Sequence, residues 1–187
     1  MIQRAIQLYS ARMDDECEVD VSADESGSSK TDKSIDEGHC NRESNSVAFH
    51  SPHIPFTTEL RQRTLPRCIR IDGILKWTAK RFNVNFCHQS EIFLHFNPRF
   101  DEKRSVIVLN STKCGKWQTE ERHYEMPFKR AHYFSMHLIL TMNAAVIFVD
   151  KKFVCSFKWR DSAELIDHLN IMGDVELNLV VPFTRFP

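Results

Sequence analysis

Short β-prone runs recur at nearly regular intervals from about residue 52 to the end of the chain, and this spacing limits the possible folds more than any other feature. Turn-forming residues separate the runs, a pattern typical of a β-sandwich or a β-barrel. The predicted strands are Arg67–Leu75, Arg81–Cys87, Glu91–Asn97, Ser105–Asn110, Trp117–Arg122, Tyr133–Met142, Ala145–Val149, Lys152–Phe157 and Asp174–Val181.

The pattern inside these runs favours a sheet with one buried face. Phe82, Val84 and Phe86 alternate with polar residues, so one side of that strand is expected to face a core. The helical signal in this part of the chain is a short turn at Ser162–His168, and no internal repeat is visible. The sequence therefore predicts one copy of an all-β domain.

The first quarter of the chain has a different composition. Residues 14–48 are rich in Ser, Asp and Glu with almost no large apolar side chain, so we expect disorder there. Residues 1–13 predict a short amphipathic helix. Its apolar positions are Ile2, Ala5, Ile6 and Tyr9. We accordingly divide the chain into an acidic, mostly disordered tail at 1–51 and a folded domain at 52–187.

The charge distribution excludes some classes of partner. Lys and Arg number 25 and Asp and Glu 25, so the total gives no reason to expect a nucleic-acid binder. Residues 1–50 hold eleven acidic and five basic side chains, which leaves a mildly basic remainder. No apolar run is long enough to cross a bilayer, and the N-terminus lacks the apolar core of a signal peptide. We therefore expect a cytoplasmic protein without membrane insertion.

The six cysteines follow no metal-finger spacing. Because six is an even number, the cysteines could in principle all be paired in disulfides. Cys68, Cys87 and Cys155, however, lie in strand-like contexts, where free thiols acting as small apolar side chains are the favoured interpretation. This interpretation implies a reducing compartment, and no metal or other cofactor is expected.

A polar row follows one face of the predicted strand at Glu91–Asn97. Strict alternation puts His95, Asn97 and Arg99 on the side opposite the apolar residues. Taken alone, this short pattern favours an ordinary solvated strand face. The row becomes more informative beside the segments that follow it.

Those later segments add an indole and a second set of charges. Trp117 has polar neighbours, which favour an exposed ring over an ordinary core aromatic. Glu120 and Arg122 share a strand face and are expected to pair with Arg99 across neighbouring strands. Sugar hydroxyls both donate and accept hydrogen bonds, and the apolar C–H face of galactose packs well on an indole. The pattern is therefore typical of a carbohydrate site.

In order and spacing, these segments resemble the galectin family. The similarity covers residues 54–184. The matching segments are Ile69–Gly73, His95–Phe100, Val108–Asn110, Trp117–Arg122, Met126–Phe128, Cys155–Arg160 and Ile171–Val175. The resemblance implies a jelly-roll β-sandwich of two antiparallel sheets, which agrees with the independent strand prediction.

The resemblance also implies a set of carbohydrate-binding residues. They are His95, Asn97, Arg99, Asn110, Trp117, Glu120 and Arg122. The first three would bond the galactose 4-hydroxyl and ring-oxygen region, and Asn110 and Glu120 the 6-hydroxyl. Trp117 would stack on the apolar face of the sugar. Arg99, Glu120 and Arg122 would reach the adjoining glucose or N-acetylglucosamine.

Three departures from the family pattern affect loops. Gln118 stands where the family has a glycine after the tryptophan, so we expect its side chain to tilt Trp117 or to crowd the sugar. Ala131 replaces a turn glycine, and Asp150–Lys151 replaces an Asn-Gly hairpin turn. The last pair puts positive φ angles on residues that tolerate them less well.

The sequence thus predicts a non-catalytic lectin for β-galactosides such as lactose and N-acetyllactosamine on glycoproteins or glycolipids. The alternative is a galectin-like domain that has lost sugar binding and contacts other proteins. An enzyme is disfavoured, because Glu120 and Glu121 point to opposite faces of a strand and cannot flank one glycosidic bond.

About six net hydrogen bonds predict affinities from roughly micromolar to millimolar, so useful binding needs multivalency. Two hypotheses for its source are homodimerisation and self-association through residues 1–50. The resemblance also implies export to the extracellular space without a signal peptide as the alternative to a purely cytoplasmic protein.

Overall fold

The structure is a computed structural model that describes residues 3, 6, 7, 9, 47–60 and 64–184. Its strands are β1 Phe49–His50, β2 Phe56–Glu59, β3 Arg67–Leu75, β4 Phe82–His88, β5 Glu91–Arg99, β6 Val106–Asn110, β7 Thr112–Lys113, β8 Lys116–Trp117, β9 Glu121–His123, β10 Tyr133–Leu140, β11 Ala144–Val149, β12 Lys152–Lys158, β13 His168–Gly173 and β14 Val175–Thr184. A 3-10 helix at Ala163–Leu165 lies within the segment where a helical turn was predicted.

The strands form two six-stranded sheets. Sheet A has the order β1-β14-β3-β10-β11-β12, and sheet B has the order β2-β13-β4-β5-β6-β9. A separate hairpin joins β7 to β8, and every described strand pair is antiparallel. The predicted fold, an all-β sandwich of two antiparallel sheets, is confirmed.

Most predicted strands are present, but one is wrong in part. The run Trp117–Arg122 is interrupted, because β8 ends at Trp117 and β9 begins at Glu121. In the gap, side chains bond the backbone in place of a neighbouring strand: Asn110 donates to the Gln118 carbonyl and Arg160 to the Thr119 carbonyl.

The prediction also missed four strands: β1, β2, β7 and β13. β13 pairs on both sides, with β2 and with β4, although only Leu169 and Ile171 supply its apolar face. Phe49 and His50 pair with β14, so sheet A includes residues that precede position 52.

An aromatic cluster fills the space between the sheets. The ring centroid of Phe128 lies 5.2 Å from that of Phe82 and 5.1 Å from that of Phe134, in both cases edge to face. Such pairs add about 0.5–1.5 kcal/mol each to the effect of burial. Phe96 joins the same cluster from β5. This packing gives sheet B a rigid support on its inner side.

Part of the predicted N-terminal helix lies on the outer face of sheet A. Residues 3, 6, 7 and 9 are helical. Tyr9 is fully buried, and its ring lies 4.0 Å from that of Phe148 and 5.5 Å from that of His137. Ile6 packs against the same cluster. The predicted disorder at 14–48 falls outside the described residues except at positions 47 and 48.

At two turns where the sequence departs from the family pattern, residues other than glycine carry positive φ angles. Ala131 has φ 59°, and Asp150 and Lys151 have φ 49° and 64°. The Ser135 N–H donates to Asp150 Oδ1 at 2.9 Å, so the hairpin turn gains a side-chain hydrogen bond.

Four of the six cysteines fall in the part of the chain that the structure describes: Cys68, Cys87, Cys114 and Cys155. All four are free thiols, as predicted for three of them. Burial raises the pKa of the Cys87 thiol to about 11, with a further contribution from the Asp167 charge. Among the described residues, no helix has the length and apolar character needed to cross a membrane.

Candidate functional site

The polar residues predicted to bind a ligand lie on the outer face of sheet B. Apolar residues of β4 and β5, such as Val84 and Phe96, belong to the core, so their sequence neighbours face away from it. Asn85, His95 and Asn110 lie directly opposite one another on β4, β5 and β6. One imidazole therefore stands between two carboxamides in a row across the sheet.

His95 is held in a largely buried position. Its Nδ1 lies 2.6 Å from Asn85 Oδ1. Burial, together with the positive charge of Arg99, lowers the pKa of His95 to about 4. The ring is therefore neutral near pH 7 and offers one donor and one acceptor nitrogen.

Trp117 stands beside this imidazole with its ring exposed. About half of the residue, 54%, is accessible to solvent. Its ring centroid lies 4.9 Å from that of His95, and the two planes are inclined by 56°. Trp117 ends β8, in the short hairpin that follows the sheet B strand β6. The exposed indole of Trp117 thus lies next to the polar row, as the sequence predicted.

Four charged side chains close a ring next to these groups. Arg99 Nη2 lies 3.0 Å from Glu120 Oε1, and Arg122 Nη2 lies 2.7 Å from Glu120 Oε2. Glu102 completes the ring, 3.1 Å from Arg99 and 2.8 Å from Arg122. The predicted Arg–Glu–Arg pairing is therefore present with a second carboxylate.

The ring fixes both the charges and the orientations of its members. Hydrogen bonds from Arg122 and Arg99 lower the pKa of the Glu102 carboxyl. Burial raises the pKa of Glu120, but hydrogen bonds from the same two arginines outweigh it and the net pKa is lowered. Sequence reasoning missed Glu102; the acidic pair that closely follows Arg99 was the available signal.

Asn97 links this ring to the sheet. The residue is only 5% exposed, and its Nδ2 donates to the Phe82 carbonyl at 2.6 Å. Its Oδ1 accepts a hydrogen bond from Arg99 Nε at 2.7 Å. Because a carboxamide has two N–H donors, one donor of Asn97 is left for a ligand or water.

Asn110 makes more hydrogen bonds within the protein than the sequence suggested. Its Oδ1 accepts from the Ser111 N–H at 2.8 Å and from Arg160 Nη1 at 3.0 Å. Its Nδ2 donates to the Gln118 carbonyl at 2.9 Å. Both oxygen lone pairs are thus occupied, and the remaining N–H makes Asn110 a donor toward any ligand.

Arg160 supports the segment that carries Trp117, a role that sequence reasoning missed. Its Nη2 donates to the Thr119 carbonyl at 2.7 Å and to Glu121 Oε1 at 2.9 Å. Glu121 faces Arg160, whereas Glu120 faces Arg99 and Arg122, so the two adjacent acids point in different directions, as predicted.

Gln118 is bonded to the hairpin itself. Its Nε2 donates to Ser111 Oγ at 3.1 Å and to the Thr112 carbonyl at 3.4 Å. The side chain that replaces a glycine thus helps to stabilise the hairpin, while its effect on Trp117 toward a bound sugar stays a prediction.

Direct contacts connect six of the seven predicted residues, and Asn110 lies opposite His95 in the sheet. His95 contacts Trp117, and a continuous hydrogen-bonded set contains the other four. We call this surface the polar face; it consists of His95, Asn97, Arg99, Asn110, Trp117, Glu120 and Arg122. Within the residues that the structure describes, no cluster of His, Cys, Asp or Glu is arranged to hold a metal ion.

Comparisons with known proteins show the family to which the chain is similar. Residues 55–181 match the galactoside-binding lectin family. The chain is 37% identical over 114 residues to the 32 kDa beta-galactoside-binding lectin of Haemonchus contortus, covering 60% of this chain and 40% of that protein. It is 33% identical over 116 residues to galectin-4 of Rattus norvegicus, covering 60% and 36%. The match thus spans less than half the length of these two relatives.

A solved structure has the same architecture. The crystal structure of the Caenorhabditis elegans galectin LEC-6 superposes with a TM-score of 0.69 at 27% sequence identity, covering 74% of this chain and 96% of that one. Sheep galectin-11, solved in complex with glycerol, superposes with a TM-score of 0.63 at 22% identity, a likeness of fold.

Proposed function

The chain belongs to the galectin family of galactoside-binding lectins, and on that premise we propose that it binds β-galactosides such as lactose and N-acetyllactosamine at the polar face. The family consists of lectins rather than enzymes, so binding is the whole of the proposed activity. The observation that carries the proposal is an exposed indole, Trp117, beside a polar row whose orientation is fixed within sheet B.

Each part of the polar face suits one part of a galactoside. The Trp117 ring provides a flat apolar surface for the C–H face of galactose, which gains dispersion contact there. His95 and the spare N–H groups of Asn97 and Asn110 provide hydrogen-bonding groups for sugar hydroxyls.

The charged ring supplies stronger hydrogen bonds at the other end. Arg99 and Arg122 each bond two carboxylates, which fixes their planar guanidinium groups. Preorganised donors lose little conformational entropy when a ligand binds. We place the second sugar of the disaccharide, glucose or N-acetylglucosamine, next to Arg99, Glu120 and Arg122.

The expected affinity is low. About six net hydrogen bonds at ~1 kcal/mol each, reduced by the cost of association, correspond to dissociation constants from roughly micromolar to millimolar. Several linked sites would then be needed for firm attachment to glycoproteins or glycolipids. We keep homodimerisation and self-association through residues 1–50 as hypotheses for that multivalency.

The described free thiols fit a reducing compartment, and we propose a cytoplasmic location with signal-peptide-independent export as the route to extracellular glycans.

Chromatography on lactose–agarose tests the proposal. We expect the full chain to be retained and to elute with free lactose but not with sucrose, which lacks galactose. Passage through the column without retention, together with no heat of binding at millimolar lactose, would contradict it and favour a domain that contacts other proteins instead. With a nitrophenyl galactoside as substrate we expect no turnover.

A further inference from the structure

A line of hydrogen bonds crosses sheet B and ends on His95. Thr57, Asn170, Asn85 and His95 lie directly opposite one another on β2, β13, β4 and β5. Each neighbour in this line is joined to the next by a side-chain hydrogen bond. The line lies on the side of the imidazole away from Asn110, and none of its first three members belongs to the polar face.

The direction of these bonds is determined at the far end of the line. The backbone carbonyl of Phe56 can only accept a hydrogen bond, so the atom 3.3 Å from it must be the amide nitrogen of Asn170. The same nitrogen lies 2.8 Å from Thr57 Oγ1. Asn170 Oδ1 consequently points along the sheet toward Asn85.

The orientation of the Asn85 side-chain amide follows from that of Asn170 and determines which atom faces the imidazole. Its Nδ2 donates to Asn170 Oδ1 at 3.1 Å and to Asn83 Oδ1 at 3.0 Å, which uses both of its N–H groups. Its Oδ1 therefore points at His95, 2.6 Å from Nδ1. An amide oxygen is an acceptor only, so the proton of a neutral His95 must be on Nδ1.

We infer that Asn85, oriented by Asn170, is a positioning residue that holds His95 as the Nδ1–H tautomer and leaves its Nε2 to accept a hydrogen bond from a ligand hydroxyl. The assignment of the ligand hydroxyl to a galactoside rests on the proposed function. Asn85 itself needs no contact with the sugar. Its effect is transmitted through the imidazole.

The charge of the imidazole matters as much as its tautomer. Arg99 and Glu120 are the charged groups that act on His95, and the uncharged ring of Trp117 lies beside it. Burial and the Arg99 charge lower the pKa of His95, whereas a side-chain hydrogen bond with Asn97 and the Glu120 charge raise it to a smaller extent. An imidazolium has two donors and no acceptor, so protonation would remove the atom that the ligand hydroxyl needs.

Replacing the amide by a carboxylate separates positioning from simple packing. Asn85→Asp preserves the size and the acceptor facing Nδ1, but its negative charge should raise the pKa of His95 to roughly 5.5–7. We expect this variant to lose about threefold or more of its lactose affinity between pH 7.5 and 5, while the unaltered chain changes by less than about twofold. Asn178→Asp, on an exposed position of sheet A, is the matched control and should follow the unaltered chain.

Nitrogen-15 NMR of the imidazoles in the full chain, free of ligand, reads the tautomer directly. We expect His95 to carry its proton on Nδ1 in the unaltered chain and to show a higher pKa in Asn85→Asp. A His95 protonated on Nε2, or identical pH profiles for Asn85→Asp and the unaltered chain, would overturn the inference. The spectrum needs no lactose. Failure of the chain to bind lactose would therefore contradict the proposed function, while the spectrum would still report the tautomer of His95.

Discussion

The imidazole of His95 and the indole of Trp117 lie side by side, with ring centroids 4.9 Å apart and planes inclined by 56°. His95 belongs to β5, which pairs on both sides, whereas Trp117 ends a two-residue strand of a short hairpin. Glu91 fastens that hairpin to the start of β5 by accepting from Thr112 Oγ1 at 2.6 Å and from the Gly115 N–H at 2.8 Å. The indole of Trp117 is thereby held in place relative to the polar row on sheet B.

Removal of the indole should abolish detectable lactose binding. Trp117→Ala takes away the stacking surface and leaves the core untouched, because the residue is 54% exposed. Calorimetric titration should detect no binding, while the thermal unfolding midpoint stays within a few degrees of the unaltered value. Trp77→Ala is the matched control, since that residue is 78% exposed and lies outside the polar face; it should bind lactose normally. Retained affinity in Trp117→Ala would show that the ring does not stack on the sugar.

Loss of Arg99 should weaken binding at least tenfold. Arg99→Ala removes donors from the polar face and leaves Glu120 with one arginine instead of two. Arg99→Lys should recover only part of the affinity, because an ammonium cannot bond Asn97, Glu102 and Glu120 with the planar geometry of a guanidinium. Arg70→Ala, which breaks an arginine–aspartate pair on sheet A, should leave the titration unchanged. Equal affinities for Arg99→Ala and Arg70→Ala would contradict this role.

Lactose affinity should be nearly constant from pH 8 to about 5.5 and should fall as the pH approaches 4. The pKa of His95 is lowered to about 4 by burial and by Arg99, so the neutral, accepting form persists across that range. The lowered pKa values of Glu102 and Glu120 keep the charged ring intact over the same interval. A histidine with an ordinary pKa would instead lose about tenfold between pH 7.5 and 5.5. Calorimetric titration with lactose at a series of pH values distinguishes a lowered from an ordinary pKa of His95. A loss of affinity already between pH 7.5 and 5.5 would place the pKa of His95 near its usual value.

The sequence predicted the parts of this structure that depend on local pattern. Alternation located the strands of the core, and the face on which His95, Asn97 and Arg99 lie follows from the same two-residue period. The shared face of Glu120 and Arg122 predicted their pairing with Arg99, and the resemblance assigned a role to Asn110. Long-range contacts that neither source encodes were missed: Arg160 reaches Asn110 from fifty positions away, and β13 pairs on two sides with few apolar residues.

The N-terminal helix was predicted as a local feature, but its docking was not. Its contact with sheet A depends on Phe148 and His137, which are far away in sequence and whose outward-facing positions gave no sign of a partner. Similarly, the hydrogen bonds that Asn110 accepts from Ser111 and Arg160 depend on how the hairpin folds back on the sheet.

Truncation of Tyr9 should destabilise the domain without affecting the polar face. Tyr9 is fully buried against Phe148 and His137 on the sheet that does not carry the polar face. Tyr9→Ala should lower the free energy of unfolding by roughly 2–3 kcal/mol in chemical denaturation. Tyr133→Ala, at a position 71% exposed, is the matched control and should change it by about 0.5 kcal/mol or less. A neutral Tyr9→Ala would mean that the helix does not dock in solution.

A glycine at position 131 should stabilise the fold. Ala131 has φ 59°, a left-handed conformation that costs a residue with a side chain about 1–2 kcal/mol, against about 0.5–1 kcal/mol of chain entropy for glycine. Ala131→Gly should therefore raise the free energy of unfolding by about 0.5–1 kcal/mol. Ala48→Gly, at an exposed position without a positive φ angle, should show no gain. Equal effects at both positions would remove the conformational explanation.

The indole resonances of the three tryptophans test the central claim most directly, because Trp117 lies on the polar face while Trp77 and Trp159 lie elsewhere. In a nitrogen-15 NMR titration of the full chain with lactose, we predict a saturable shift of the Trp117 indole signal and no more than marginal shifts of the other two. Sucrose at equal concentration should move none of them. A Trp117 signal that stays in place at saturating lactose, or a larger shift at Trp77 or Trp159, would contradict a sugar site on this face of sheet B.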